Sequence, residues 1–358
     1  MPEAEGFRPG RGTQDAQKYV FDNLKSRCNG QDKRVIELDI EKCFDRINHS
    51  AIMTRVIAPQ QIKLGLWRCL KAGVSPQFPN QGTPQGGVVS PLLANIALNG
   101  IEDIHPSVRY ADDMVFFLKP KDNAEKILEQ VRQFLNERGM DVSAEKTKVT
   151  RSIEGFDFLG WHFRVQKNGK FRCVPSEENY EKLRKKVKTI VNNSVLATEA
   201  KAKKLAPIIR GWRNYHRYCK MDGSRFSLWY INQDAFRQFL SDKNKGKNEA
   251  VELVHKAFPA VPYSENKFTM VKGTKSPYDG DLLYWSKRNS NLYFGDTTKA
   301  LKRQGYKCGY CGHYLDGNEK VNLHHIDGNH DNWKTNNLTA IHESCHDYIH
   351  MKGTSPKD

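Results

Sequence analysis

Tyr110-Ala111-Asp112-Asp113 sets two adjacent carboxylates between Ser107-Val108-Arg109 and the apolar run Met114-Val115-Phe116-Phe117-Leu118. Neighbouring anions repel one another unless a cation lies between them. Hard carboxylate oxygens suit Mg²⁺, which takes a few protein carboxylates and fills its remaining positions with water and substrate phosphates. Phosphoryl transfer by two metal ions needs such a donor set. Taken alone, Asp-Asp also reads as a solvated turn. A third carboxylate favours the metal. In Arg34-Val35-Ile36-Glu37-Leu38-Asp39-Ile40, strict alternation puts Ile36, Leu38 and Ile40 on one face and Val35, Glu37 and Asp39 on the other. Asp39 then ends a half-buried strand and can meet Asp112 across a sheet.

A second concentration of chemistry lies near the carboxy end. Cys308-x-x-Cys311 and His342-x-x-Cys345 have the two-pair spacing of a structural Zn²⁺ site, each pair able to fill one tetrahedral edge. Seven of the twelve histidines fall in the same stretch, which reads as metal before disulfide. Zinc alone can fold so short a segment, so a knuckle without activity is one reading of the spacing. Between the pairs stand Leu323-His324-His325-Ile326 and Asn336-Asn337-Leu338, followed by His346 and His350. Adjacent histidines on a strand point to opposite sides, so His324 and His325 cannot share one role.

The elements that must position these groups follow from periodicity and turn chemistry. A tight hairpin at Ala111-Asp112 leaves Val108 and Tyr110 on one strand, and Val115 and Phe117 on the other, to pack a core. Gln81-Gly82-Thr83-Pro84-Gln85-Gly86-Gly87 reads as an exposed loop that lets backbone approach a ligand, feeding a helix capped by Ser90 with Pro91 at its first position. Further helices are expected from Thr13 to about Leu24, over 48–72 with Ile62, Leu66, Trp67 and Leu70 on one side, and from Asn123 to Arg138, stopped by Gly139.

Length and charge bound the rest. A chain of 358 residues is long enough for two or more domains, each with a core. A net charge of +16 and pI near 9.4 point to a polyanion, and nucleic acid fits better than an anionic membrane. No apolar run approaches the roughly 18 residues that span a bilayer, and Met1 to Gly12 holds no signal core. The expected protein is soluble and cytoplasmic. From Lys182 to Lys220 basic residues face a single acid, Glu199. Within Pro207 to Lys220, helical spacing puts Ile208, Trp212, Tyr215 and Cys219 on one face and Arg210, Arg213, Arg217 and Lys220 on the other, an apolar anchor backing a cationic ridge suited to RNA phosphates. Residues 241–300 read as a linker or a DNA-binding spacer.

Asp39 with Glu41-Lys42-Cys43-Phe44-Asp45, the Gln81–Asn95 loop and Tyr110 to Asp113 resemble the catalytic motifs of reverse transcriptases. Ala206 to Tyr218 resembles the maturase, or thumb, domain of group II intron proteins. The histidine and asparagine pattern after Cys311 resembles the HNH nuclease motif. In this order the segments are similar to a group II intron-encoded protein with a shortened amino terminus. The resemblance implies an α+β fold: partial fingers and a right-hand polymerase palm (1–165), a helical thumb (166–240), the spacer (241–300) and a zinc-stabilised ββα-metal HNH domain (301–358). It implies RNA-directed DNA polymerase, RNA maturase and HNH DNA endonuclease activities. Asp39 and Asp112 would hold two Mg²⁺ with Asp113 in support, Phe44 would exclude the ribose 2′-OH, and Gln85 and Gly86 would orient template and nucleotide. His324, His346 and His350 would bind a divalent metal such as Mg²⁺, His325 would act as general base, and Asn337 would orient its loop. Expected partners are intron RNA, target DNA and dNTPs, with a homodimer or a second chain completing the fingers. The rival expectations are a splicing maturase that no longer polymerises, a nuclease on a vestigial palm, and a polymerase tied to another kind of element.

Overall fold

The computed structural model describes residues 6–72, 80–84, 86–221, 223–242, 245–293 and 295–352. It divides into two compact units, Met1–Thr274 and Lys275–Asp358. Among the described residues no helix is long and apolar enough to cross a membrane.

The first unit opens with α1 (Thr13–Leu24), β1 (Arg34–Leu38) and the short β2 (Ile40–Glu41). Three helices follow, α2 (Cys43–Arg46), α3 (His49–Arg55) and α4 (Gln60–Lys71), then α5 (Ser90–Leu98). The hairpin of β3 (Ser107–Tyr110) and β4 (Asp113–Leu118) leads to α6 (Ala124–Asn136), β5 (Asp141–Val142) and β6 (Lys148–Arg151). One antiparallel sheet has the order β3-β4-β1-β6, with Leu38 opposite Met114 and Tyr110 opposite Asp113. Ile36, Leu38 and Ile40 join a core beneath α3 to α6, as the alternation requires. The other face of β1 is not solvent-facing, however. Val35 is fully buried in a second core with Val20, Val108, Phe117 and Trp161, because α1 and a further sheet cover it.

That further sheet, in the order β7-β8-β9, comprises β7 (Phe156–Phe158), β8 (Trp161–Val165) and β9 (Phe171–Pro175). Pairing of Val165 with Phe171 carries the sheet across the boundary expected at residue 165. The expected helix over 48–72 is two helices. Pro59 cannot donate a backbone hydrogen bond and disfavours helical geometry at Ala58, so α3 ends at Arg55 and α4 restarts at Gln60. Only Leu70 of the predicted apolar row is fully buried, and Ile62 is exposed. Asn123 caps α6 by accepting from the Lys126 amide at 3.1 Å, and Gly139 beyond its end takes φ +77°, within 2.9 Å of the Arg46 carbonyl by its hypothetical Cβ.

A helical layer completes the unit: α7 (Glu177–Val191), α8 (Thr198–Tyr215), α9 (Gly223–Phe226), α10 (Trp229–Leu240) and α11 (Lys247–Ala257). Leu183, Val187, Leu205, Ile209, Phe239 and Leu253 form its core. α11 falls in the stretch expected as a spacer. Its Ala250, Leu253, Val254 and Ala257 recur at helical spacing and are buried in this core, so the helical layer runs past residue 240. The chain then returns to α1, where the Val271 amide donates to the buried Asp15 carboxylate at 2.8 Å.

The second unit begins within the same expected spacer. It holds α12 (Leu282–Asn289), α13 (Asp296–Arg303), the hairpin of β10 (Val321–His325) and β11 (Leu338–His342), and α14 (Glu343–Lys352). Trp285 is 1% exposed and donates its indole N–H to the Ser276 carbonyl at 2.8 Å, which fixes α12. The core is Ala300, Leu301, Leu315, Val321, Ala340, Ile341 and Ile349. Gln304 acts as an additional edge partner for β11, donating to the Ala340 carbonyl at 2.9 Å and accepting from its amide at 2.8 Å.

Candidate functional site

Ala111 and Asp112 form the two-residue turn of the β3–β4 hairpin, with Ala111 at φ +60°. The bare Cα of Gly6 packs on this turn; a Cβ there would lie 2.2 Å from the Ala111 nitrogen. Since Leu38 pairs with Met114, Asp39 follows at the same end of the sheet as Asp113. Asp39, Phe44, Asp112, Glu145 and Lys146 line one cavity of about 650 Å³. Its backbone is well tied. The Asp39 carbonyl accepts from the Ser143 amide at 2.9 Å, and Lys146 Nζ stands 3.7 Å from Asp39 Oδ2.

The electrostatics of this cleft are those of crowded anions. Asp113 remains exposed as a residue, but partial withdrawal of its carboxyl from water, then Asp112, then Asp39, push it up to about 6. Beneath them, burial followed by the charge of Asp112 pushes the Cys43 thiol up to about 12. A divalent cation would relieve this repulsion, and the Asp39 and Asp112 carboxylates that line the cavity are oxygen donors of the kind it takes.

Gln85 lies outside the described residues. Gly86 takes φ +83° with open space around its Cα. The loop is strapped beside Phe44, because the Thr83 amide donates to the Phe44 carbonyl at 2.7 Å and Ser90 Oγ to the Pro84 carbonyl at 2.7 Å. Sequence reasoning missed Arg109. It is fully buried, pairs with Glu102 at 2.6 Å, and donates from Nη1 to Asn95 Oδ1 at 2.8 Å and to the Ala111 carbonyl at 3.0 Å. The signal was present, since a charged residue inside an apolar strand demands a buried partner.

The four cations assigned to one ridge do not share a helix face. α8 stops at Tyr215, so Arg217 and Lys220 lie beyond it, in a turn where the Lys220 amide donates to the Cys173 carbonyl at 2.9 Å. Arg213 is half-buried and donates to the carbonyls of Phe258 and Pro259 at 3.0 and 2.7 Å, and burial lowers its pKa. Arg210 alone of the four is exposed. The apolar row divides too: Trp212 joins the helical core, whereas Tyr215 and Cys219 join the core against β8 and β9.

In the second unit the ligand atoms of Cys308, Cys311, His342 and Cys345 lie within 4.8 Å of one another, as do those of His324, His346 and His350. Cys311 Sγ is 3.4 Å from His342 Nδ1. Burial works against ionising Cys308, but backbone N–H groups from Cys311, His342 and Tyr310 outweigh it and hold the thiol at about 7, whereas burial and then the charge of Cys308 push Cys345 up to about 12. The donor sets thus fit a tetrahedral sulfur-rich site and a separate imidazole site. His324 pairs with Thr339 and His325 with Leu338, so the two rings leave β10 on opposite sides. The His325 ring stands 5.0 Å from Trp333 and 5.2 Å from His330. Asn337 ties down the loop after it, with Oδ1 accepting from the Asp327 amide at 3.0 Å and Nδ2 donating to Asp327 Oδ1 at 2.8 Å.

Residues 1–163 match the family model of reverse transcriptase (RNA-dependent DNA polymerase), and residues 180–256 match that of the group II intron maturase-specific domain. Maturase-like protein 1 of Euglena gracilis is 36% identical over 256 residues, covering 71% of this chain and 56% of that protein. The group II intron-encoded protein LtrA of Lactococcus lactis subsp. cremoris is 26% identical over 243 residues, covering 46% of this chain and 40% of that protein. The chain spans about half the length of the curated relatives it matches. A solved structure of telomerase from Candida tropicalis aligns with 71% of this chain and 57% of its own, at 12% identity and a TM-score of 0.40, too loose to bear on the fold. The two matches follow one another along the chain, the reverse transcriptase model first and the group II intron maturase-specific model second.

Proposed function

We propose that the chain is a group II intron-encoded protein that copies RNA into DNA, assists splicing of its intron RNA, and nicks DNA with an HNH nuclease. Support for the polymerase comes from one observation above others: Asp39, at the end of β1, and Asp112, in the β3–β4 turn, line the same cavity. Asp39 and Asp112 would hold two Mg²⁺, with Asp113 in support. Two ions held there would supply charge neutralisation for phosphoryl transfer. Phe44, on the cleft wall, would exclude the ribose 2′-OH; Gln85 and Gly86 would orient template and dNTP.

The second unit supports the nuclease. Cys308, Cys311, His342 and Cys345 would fold the unit around Zn²⁺, a closed shell with no position for substrate. His324, His346 and His350 would hold a separate divalent ion, such as Mg²⁺. His325, on the other side of β10, would take the proton from the attacking water. Intron RNA entering one strand, a nick in the other by this unit, and priming by the freed 3′-OH would together make a mobility cycle.

Primer extension on an RNA template, wild type against Asp112→Asn, tests the polymerase. DNA nicking by His325→Ala tests the nuclease. Extension that persists in the first variant, or nicking at the wild-type rate in the second, removes that activity from the proposal.

A further inference from the structure

A second cavity opens on the palm, of about 390 Å³, lined by Phe7, Arg8, Pro9, Arg55, Leu92, Asn95, Ile96, Asn99 and Arg109. None of these residues lines the carboxylate cleft. The volume lies within the roughly 300–1,000 Å³ of small-molecule sites. Its lining holds three guanidinium groups and no carboxylate, and although Arg109 is ion-paired with Glu102 outside the lining, the balance favours an anion. Arg55 makes a hydrogen bond to the Ala51 carbonyl of its own helix and, among the described residues, no ion pair. Arg109 has no exposed surface, and its Nη2 has no acceptor, although Nε and Nη1 are fully engaged. A buried guanidinium nitrogen left without a partner is costly, and an anion or a water is what satisfies it.

The rest of the wall is apolar: Phe7 and Leu92 are exposed large hydrophobic residues, at 51% and 57%. Ile96 also lines it, and the exposed Asn99 adds an amide. A ligand with a phosphate at one end and a flat, weakly polar ring at the other matches both halves. We propose that this cavity is a nucleotide-binding site separate from the catalytic cleft, with the phosphate toward Arg55 and Arg109 and the base against Phe7, Leu92 and Ile96. The ligand is either a free mononucleotide or one unit of an RNA strand; the chemistry recognised is the same. Occupancy reaches the catalytic turn by a short route, because the Arg109 guanidinium that lines the cavity also donates to the Ala111 carbonyl, one residue before Asp112.

The test uses the full chain and two variants outside the catalytic cleft, Arg55→Glu and Leu92→Trp. The first reverses charge and the second fills the cavity from a position already exposed to solvent. Binding of inorganic phosphate, 5′-AMP, an adenosine hexaribonucleotide and hexaglutamate is measured by calorimetry, with amide exchange over residues 90–99 as the local readout. We expect 5′-AMP or the hexaribonucleotide to protect those amides, and each variant to weaken that protective binding by about tenfold or more. Loss confined to 5′-AMP identifies a free nucleotide, and loss confined to the hexamer identifies a strand. Either one supports the site. Protection by phosphate alone as strong as by 5′-AMP, protection by hexaglutamate, or binding unchanged in both variants overturns it. Primer extension run in parallel keeps the outcomes apart, since a protein inactive in extension can still bind 5′-AMP here, and an active one can fail to.

Discussion

Arg109→Met should be among the most destabilising single changes in the first unit. The Arg109–Glu102 pair is 2.6 Å long, with side chains 0% and 2% exposed. Methionine approximates the stem but removes the charge and three donated hydrogen bonds. Glu102 is then left buried with one remaining donor, the Gly100 amide at 3.3 Å, while Asn95 Oδ1 and the Ala111 carbonyl each lose a donor. Breaking a buried pair from one side costs about 3–5 kcal/mol, against a total stability of about 5–15 kcal/mol. Native-state hydrogen exchange at Phe116, in the centre of the sheet between Ile36 and Ser107, reads this unit without the other. Its rate should rise by roughly two to four orders of magnitude. Removing both charges with Arg109→Met/Glu102→Leu should recover more than half of the loss, because no ion is then stranded. An acceleration below about tenfold in the single variant, or a double variant no better than the single, would refute the view that the pair is a desolvated ion pair.

Two other outcomes follow from the sites. Asp113 binds its proton as pH falls through about 6, so Mn²⁺ affinity of the cleft, measured by electron paramagnetic resonance, should fall as pH drops from 7.5 to 5; a flat profile would mean Asp113 does not share the ion's environment. Cys311→Ser should lower zinc content measured by mass spectrometry and expose the α14 amides to exchange, whereas His325→Ala should keep both zinc and protection; equal zinc in all three proteins would separate the cysteines from metal binding.

The parts legible in the sequence are those set by short-range rules. Alternation through Val35 to Ile40 assigns faces correctly because a strand has a period of two whatever surrounds it. Residue pairs at fixed spacing, such as Cys308 with Cys311, come together because a turn is a local structure. Long-range packing was not legible. Helical spacing continues past Tyr215 with no glycine or proline to stop it, yet the helix ends there because Cys219 is drawn against Cys173, sulfur to sulfur at 3.4 Å. Arg109 gave a signal without naming its partner: Glu102 lies in a separate turn, and only the fold joins them. The stretch after residue 240 looked like a spacer because its lysines and asparagines hide four small apolar positions at helical spacing.

β1 has a consequence for how the chain is made. Like β4, it has a neighbour on each side and parts two cores, and both of its neighbours, β4 and β6, are encoded far downstream of it. On the ribosome, Arg34 to Leu38 must therefore wait, apolar on both faces, until the chain through Arg151 has emerged. During that interval Val35, Ile36 and Leu38 are a short β-prone segment with no cover except what α1 or a chaperone provides. Synthesis slowed between α5 and β6 should raise the yield lost to aggregation, and a polar residue in place of Val35 would trade that hazard for a hole in the finished core.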